Sequence, residues 1–316
     1  MHAWQFTGTH EPLLLADVPE PEAGAGEVVV DIRAAGLCHS DVGLMEDEGW
    51  LNMLAKRPIT IGHEVGGVVS AVGAGVNEWK VGDRVGICPS TPAGAPGYGR
   101  DGGYTYMIAF DQQALVRIPD TVSFALGAVG TDAGMTSHHA VITAGQVTAG
   151  QKVGFIGLGG LGQIGARVAV LAGAEVYVAE IDERVWPLGY ELGVKRIARS
   201  ITDFANEDLD VIVDFAGFGT TTAEAIETVR RFGRVVQIGM GRLESTISTK
   251  ALILGRVTLV GSAGGNKDDV AGIYRYFESG ELDPVITEIS FEEIPDGLAR
   301  LKRGDVKGRL VAMPTS

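Results

Sequence analysis

The sequence predicts an α/β fold: a doubly wound parallel sheet in one domain, preceded by an irregular, mostly antiparallel β domain. Three observations predict it. From about residue 134 onward, apolar runs of buried-strand length alternate with amphipathic helical patterns, the rhythm of parallel strands joined by crossover helices. Before about residue 130 the chain consists of short β-like runs cut by glycine, Gly-Asp pairs and Pro-rich joints. The length, 316 residues, exceeds what one core needs and suits two.

Each element follows from its local pattern. In the first part, residues 27–33, 65–72, 84–87 and 114–118 read as strands, and 91–103 as a Gly/Pro-rich loop with weak structural preference. In the second part, 152–156, 175–179, 209–215, 234–238 and 257–260 are apolar strand runs. Helical patterns at 163–171 and 222–231 fall between them. The tail, 265–316, holds a last strand-like run at 308–313, expected to return to the first domain. The expected division is therefore 1–133 completed by 266–316, with 134–265 as the doubly wound domain.

Bulk chemistry narrows the partners. A net charge of −14, from 26 basic and 40 acidic side chains, repels phosphate backbones and anionic lipid heads. No nucleic-acid or membrane partner is expected. The amino terminus has no basic region and too short an apolar run for a signal peptide. The most apolar stretch, 153–179, is broken by glycines, Arg167 and Glu175, so it reads as strand–helix–strand and not as a membrane span. The two cysteines, Cys38 and Cys88, exclude a disulfide framework and fit a reducing compartment; a cytoplasmic location is expected.

A dinucleotide loop is the first candidate site. Gly157-Leu158-Gly159-Gly160-Leu161-Gly162 follows an apolar run and opens a helical pattern. The first glycine permits a tight turn, the second lets backbone approach a pyrophosphate, and the third lets helix pack on strand. The free N–H groups and positive dipole end of the helix then face the phosphates. The next strand ends at Glu180, 23 residues after Gly157, where an acid accepts hydrogen bonds from an adenosine ribose and repels a 2′-phosphate. NAD is expected over NADP. The neighbouring Asp182 and Glu183 leave a second reading, in which Glu180 is a surface acid.

The second candidate site is a set of motifs: Gly36-Leu37-Cys38-His39-Ser40-Asp41, Gly62-His63-Glu64-Val65-Gly66-Gly67, and Val81-Gly82-Asp83-Arg84-Val85. With the Gly-rich loop, these resemble the zinc-dependent medium-chain alcohol dehydrogenases over nearly the whole chain and in that family's order. The resemblance implies a GroES-like catalytic domain and a Rossmann cofactor domain. It implies one catalytic zinc on Cys38 and His63, with a third ligand that is usually cysteine but here is Asp132. Thiolate, carboxylate and imidazole carry the same formal charge as two thiolates and imidazole, and zinc takes carboxylate oxygen readily, at about 2.0–2.2 Å. Glu64 is either an alternate ligand or an outer group, with water as the other choice for the fourth ligand. Asp41 is expected to hold the His63 ring through its other N–H.

The resemblance also assigns roles in the reaction. Zinc lowers the pKa of an alcohol, and hydride passes to the nicotinamide. Ser40 matches the hydroxyl that takes the alcohol proton; a histidine that continues this relay in many members is Gly43 here. His39 and Arg309 match contacts to the cofactor phosphates, and Thr136 matches a residue packed on the nicotinamide. Two departures stand out. Between Cys88 and Asp101 there is no four-cysteine lobe, so a four-thiolate structural zinc is impossible, and the connection at 200–207 is shorter than usual. Cys88 is then an apolar filler or a pocket-lining residue, Trp50 a pocket lining or a core aromatic, and His138 and His139 structural.

The activity expected is hydride transfer between a small-molecule alcohol, or its aldehyde or ketone, and NAD(H). Two rivals stand against it: a metal-free quinone or enoyl reductase of the same superfamily, and a non-catalytic NADH-binding scaffold. The apolar run 256–260 is expected to close one edge of the cofactor sheet, an aggregation hazard unless another chain pairs with it, so a homodimer or homotetramer is expected.

Overall fold

The computed structural model describes residues 1–314, so the last two residues of the expected tail lie outside the described part. The chain divides into two compact units: Met1–Met135 together with the chain from Asn266 onward, and Thr136–Gly265.

The first unit is built on a seven-stranded sheet. Its order runs Ile286–Ile289, Arg309–Ala312, Glu27–Leu37, Glu64–Val72, Arg84–Ile87, Leu115–Arg117, and Met107–Asp111 also pairs with Glu27–Leu37. All these pairings are antiparallel except Ile286–Ile289 with Arg309–Ala312. The strand at 309–312 thus returns to the first unit, as its apolar run suggested. The strand expected at 27–33 continues to Leu37, because Ala34–Leu37 are fully buried small and apolar residues paired on both sides. The run 114–118 shrinks to Leu115–Arg117, since Asp111 accepts the Gln113 N–H and caps a 3₁₀ turn ahead of it. Apolar side chains of these strands, among them Val28, Val30, Val65, Val85 and Ile87, form one core with Leu44, Trp50, Leu298 and Leu310.

The second unit is a six-stranded, wholly parallel sheet in the order Arg196–Ala198, Glu175–Ala179, Lys152–Ile156, Val211–Asp214, Arg234–Gln237, Thr258–Gly261. Counted within the unit, this is strand order 3-2-1-4-5-6, whose reversal point beside the first strand is where dinucleotides bind in such sheets. Helices Gly160–Leu171 and Thr220–Thr228 supply crossovers. The second of these stops short of the expected 231, because Val229 leaves helical geometry at ψ 144. The short connection at 200–207 holds one 3₁₀ turn, Ile201–Phe204, capped by Ser200. None of the helices among the described residues is long and apolar enough to cross a membrane.

Candidate functional site

Strand register brings the metal-ligating side chains together. Gly36 pairs with Glu64, and Leu37 with Leu310, so the ends of three strands deliver Cys38, His63, Glu64 and Arg309 to one place. Beyond Leu37 the chain turns into the helix His39–Glu46, with Cys38 as its extended N-cap at φ −121° and ψ 152°. Asp41 reaches back from the first turn to accept the Cys38 N–H at 3.1 Å, the geometry of a capping box. Gly36 is required here, since a Cβ would overlap the Glu64 carboxylate.

Asp132 arrives from another part of the chain. The helix Phe124–Val129, capped by Ser123, widens into a π-helical turn over Gly130–Gly134, a distortion common at functional sites. Gly66 lets that helix approach: a Cβ there would lie 2.9 Å from the Ala128 backbone nitrogen. The turn is held from its other side by the helix Lys267–Ser279, whose Ile273 would stand 2.7 Å from a Cβ at Gly134.

The ligand atoms of Cys38, His63, Glu64 and Asp132 all lie within 4.8 Å of one another. Cys38 Sγ is 3.8 Å and His63 Nε2 is 3.4 Å from Asp132 Oδ2. Glu64 is fully buried, its Oε1 ion-paired with the buried Arg309 and its Oε2 without a partner. Asp132, with 17% of its side chain exposed, is the open side of the cluster. On the far side of His63, Nδ1 stands 3.4 Å from Asp41 Oδ1, and neither atom has another hydrogen-bond partner. Tyr104 donates to the other Asp41 oxygen at 2.7 Å.

The electrostatics fit a cation. Burial pushes the Glu64 carboxyl well above its usual range, Arg309 pulls against it, and nearby Cys38 and Asp132 add to the rise. Burial would raise the Cys38 thiol, yet its hydrogen bond with His63 and the charges of His63 and Arg309 together leave it lowered. Burial disfavours a charged His63, but Asp41, Tyr98 and Asp132 together outweigh it and lift the imidazole well above its ordinary value. Three acidic groups and one imidazole packed this closely are a donor set for a divalent cation. The mix of thiolate, imidazole and carboxylate suits zinc, where an all-oxygen set would suit magnesium or calcium.

The other sequence-predicted residues fall as follows. The Ser40 hydroxyl is 3.3 Å from His63 Nε2. His39 is exposed on the first turn of its helix. Arg309, matched by resemblance to a phosphate contact, has a partner the sequence did not reveal, Glu64, and retains an unpartnered Nε. Cys88 is a filler: it is fully buried beside Met135 Sδ at 3.7 Å, and burial raises its thiol pKa. Trp50 is a core residue of a 3₁₀ turn, Glu48–Met53. Its indole occupies the space beside Gly43, 2.7 Å from where a Cβ would stand, so no side chain fits at the position of the family's relay histidine. Tyr98 and Tyr104 were missed; both neighbour the Asp101-Gly102-Gly103 segment, whose glycines were the available signal.

In the second unit the Gly-rich loop has the geometry its spacing implies. Gly157 adopts φ +91°, a conformation that favours glycine, and a Cβ at Gly162 would overlap the Gly157 carbonyl. A Cβ at Gly159 would meet nothing within 4 Å, which leaves room for a ligand to approach the backbone. The helix begins at Gly160 with no side-chain cap, so Gly160, Leu161 and Gly162 present free first-turn N–H groups. Glu180 follows the neighbouring strand and accepts the Leu158 N–H at 2.7 Å, tying the acid to the loop. Thr136 is buried at the start of this unit, and the neighbouring Ser137 hydroxyl donates to the Leu161 carbonyl at 3.0 Å.

A dinucleotide-type sheet in one unit and a thiolate–imidazole–carboxylate cluster in the other define a metal-type, nicotinamide-linked dehydrogenase. Comparison with known proteins narrows the class. Residues 24–120 match the alcohol dehydrogenase GroES-like domain, and residues 160–279 match the zinc-binding dehydrogenase domain. The chain is 29% identical to an alcohol dehydrogenase of Geobacillus stearothermophilus, covering 95% of this chain and 96% of that one. It is 28% identical to the NADP-dependent alcohol dehydrogenase C of Mycobacterium tuberculosis, over 98% of this chain and 97% of that one. Among solved structures, the alcohol dehydrogenase of Aeropyrum pernix superposes with a TM-score of 0.91 at 27% identity, covering 99% and 100% of the two chains. The chain belongs to the zinc-dependent medium-chain alcohol dehydrogenase/reductase family. It is an oxidoreductase that interconverts alcohols and carbonyl compounds with a nicotinamide cofactor.

Proposed function

We propose that the chain is an NAD-dependent alcohol dehydrogenase whose one zinc is held by Cys38, His63 and Asp132, with Glu64 or water as the fourth ligand. The observation that carries this reading is the convergence of those four side chains, from three distant segments, within 4.8 Å. Zinc there supplies Lewis acidity that lowers the pKa of an alcohol oxygen, and the nicotinamide supplies the hydride acceptor. Asp41 orients His63 from behind, in the manner of outer groups that fix a metal histidine. Ser40 accepts the alcohol proton. With the space at Gly43 filled by Trp50, no histidine at that position carries the proton onward.

Gly157, Gly159, Gly160, Leu161 and Gly162 would hold the cofactor, and Thr136 would pack on its nicotinamide. By family resemblance, His39 and Arg309 would contact its phosphates. Glu180 sets the preference for NAD: its carboxylate is adjacent to the loop, and a 2′-phosphate there costs on the order of 1–3 kcal/mol. The exposed apolar side chains Ile253, Leu254 and Leu259, at and just before the edge strand Thr258–Gly261, support pairing of two chains as a homodimer or higher oligomer. The low cysteine count, with Cys38 and Cys88 both free, supports a cytoplasmic location.

Metal analysis by mass spectrometry, followed by turnover of an alcohol and carbonyl panel with NAD and NADP, tests the reading. About one zinc per chain with catalytic efficiency higher for NAD is expected. A zinc-free chain that reduces activated double bonds, or one that binds NADH without turnover, overturns it. So does a higher efficiency with NADP for the cofactor assignment, and a mass near that of one chain by light scattering for the oligomer.

A further inference from the structure

The loop 91–103, where this chain lacks the family's cysteine lobe, is laid directly on the segment that leads into His63. Gly102 donates to the Thr60 carbonyl at 2.7 Å, Gly103 to Gly62 at 2.7 Å, and Tyr104 to Ile61 at 3.0 Å. Asp101 accepts from the Thr60 N–H at 3.0 Å and pairs with Lys56 at 2.6 Å. Gly97, at φ +78°, permits an approach so close that a Cβ would stand 2.9 Å from the Gly62 nitrogen. Between these clamps the Tyr98 carbonyl accepts the Ala55 N–H at 2.9 Å, and Arg100 pairs with Glu27 at 2.5 Å. A segment rich in glycine, alanine and proline is in this way fixed through its backbone, and the side chain it lays on His63 is Tyr98.

That side chain meets the metal cluster from outside. Its ring lies tilted on His63, with centroids 5.4 Å apart. We propose that Tyr98 is a positioning residue for the metal site: its ring braces the zinc ligand His63. The inference rests on the reading of Cys38, His63 and Asp132 as the zinc site. The contact with His63 limits rotation of the imidazole away from the cluster.

Tyr98→Phe and Tyr98→Ala test this claim. Zinc transfer to a chromogenic chelator is measured beside kcat and KM. Tyr98→Phe keeps the ring, so zinc is released at the parent rate. Tyr98→Ala releases zinc about 10-fold faster. Zinc release from Tyr98→Ala at the parent rate, or from Tyr98→Phe as fast as from Tyr98→Ala, would each overturn the proposal. A parent chain that holds no zinc overturns the reading of the site itself, and that is seen before any variant is made.

Discussion

The two units bind their ligands by opposite means. In the unit Thr136–Gly265 the site is one contiguous stretch, Gly157–Gly162, and its working groups are backbone N–H donors with one acid, Glu180, tied to them. In the other unit the site is made of side chains from segments around residues 38, 63, 132 and 309, gathered by strand register and a π-helical turn. Backbone sites are insensitive to side-chain identity except where a Cβ would fill needed space. Side-chain sites depend on each residue, and on every neighbour that keeps a buried charge compensated.

The largest expected effect is at Asp132. Asp132→Ala removes one ligand and one negative charge from the cluster, so zinc content should fall well below one per chain. Alcohol turnover should drop roughly a thousand-fold, as several kcal/mol of charge stabilisation disappear. NADH binding, which uses the Gly157–Gly162 loop, should be unchanged by fluorescence titration. A variant with full zinc and turnover would break the contrast at its strongest point.

Next is the buried pair Glu64–Arg309. Arg309→Met leaves Glu64 buried without its counter-charge, which costs about 3–5 kcal/mol in urea or guanidinium unfolding. Replacing both by methionine should recover much of that loss, since apolar pairs of similar volume pack without a desolvation penalty. If the single variant unfolds like the parent, the pair is not compensating a buried charge.

Gly162→Ala probes the backbone site in the same way. One added methyl overlaps the Gly157 carbonyl, and relieving it costs about 1–3 kcal/mol. A five-fold or greater weakening of NADH binding corresponds to the lower end of that range, with zinc content unaffected. Unchanged NADH affinity would mean that the loop tolerates side chains and is not a close-approach site.

The smallest effect should be shared by both units. Arg117 holds the Asp83 carboxyl below its usual range, and Lys195, with Tyr177, does the same for Glu175. A carboxyl whose folded pKa is depressed stabilises the fold above its unfolded pKa, near 4, and loses that contribution as pH falls through the folded value. Asp83→Asn and Glu175→Gln should each flatten the acid limb of a stability–pH curve below about pH 4 and leave neutral-pH activity alone. Steepening in either variant would contradict the sign.

The sequence by itself determined the parts of this protein that depend on near neighbours. Strand runs at 84–87, 152–156 and 175–179 match the strands Arg84–Ile87, Lys152–Ile156 and Glu175–Ala179 end to end, because alternating or continuous apolar burial is written in consecutive residues. The Gly157–Gly162 turn is equally local, and so is the Asp41 cap that holds the Cys38 N–H three residues away. Resemblance of motif, not periodicity, pointed to Cys38, His63 and Asp132.

What only the tertiary structure decided depends on contacts between distant residues. That Arg309 pairs with Glu64 across 245 residues follows from the register of the strand Arg309–Ala312 on Glu27–Leu37, which no local pattern encodes. That Trp50 closes the space at Gly43, and that Tyr98 comes to rest on His63, are outcomes of how two irregular segments dock. Local propensity sets the conformation of a few residues at a time. Which side chain fills a given space is settled by close packing of the whole unit, where volume and unpaired polar groups must all be accounted for together.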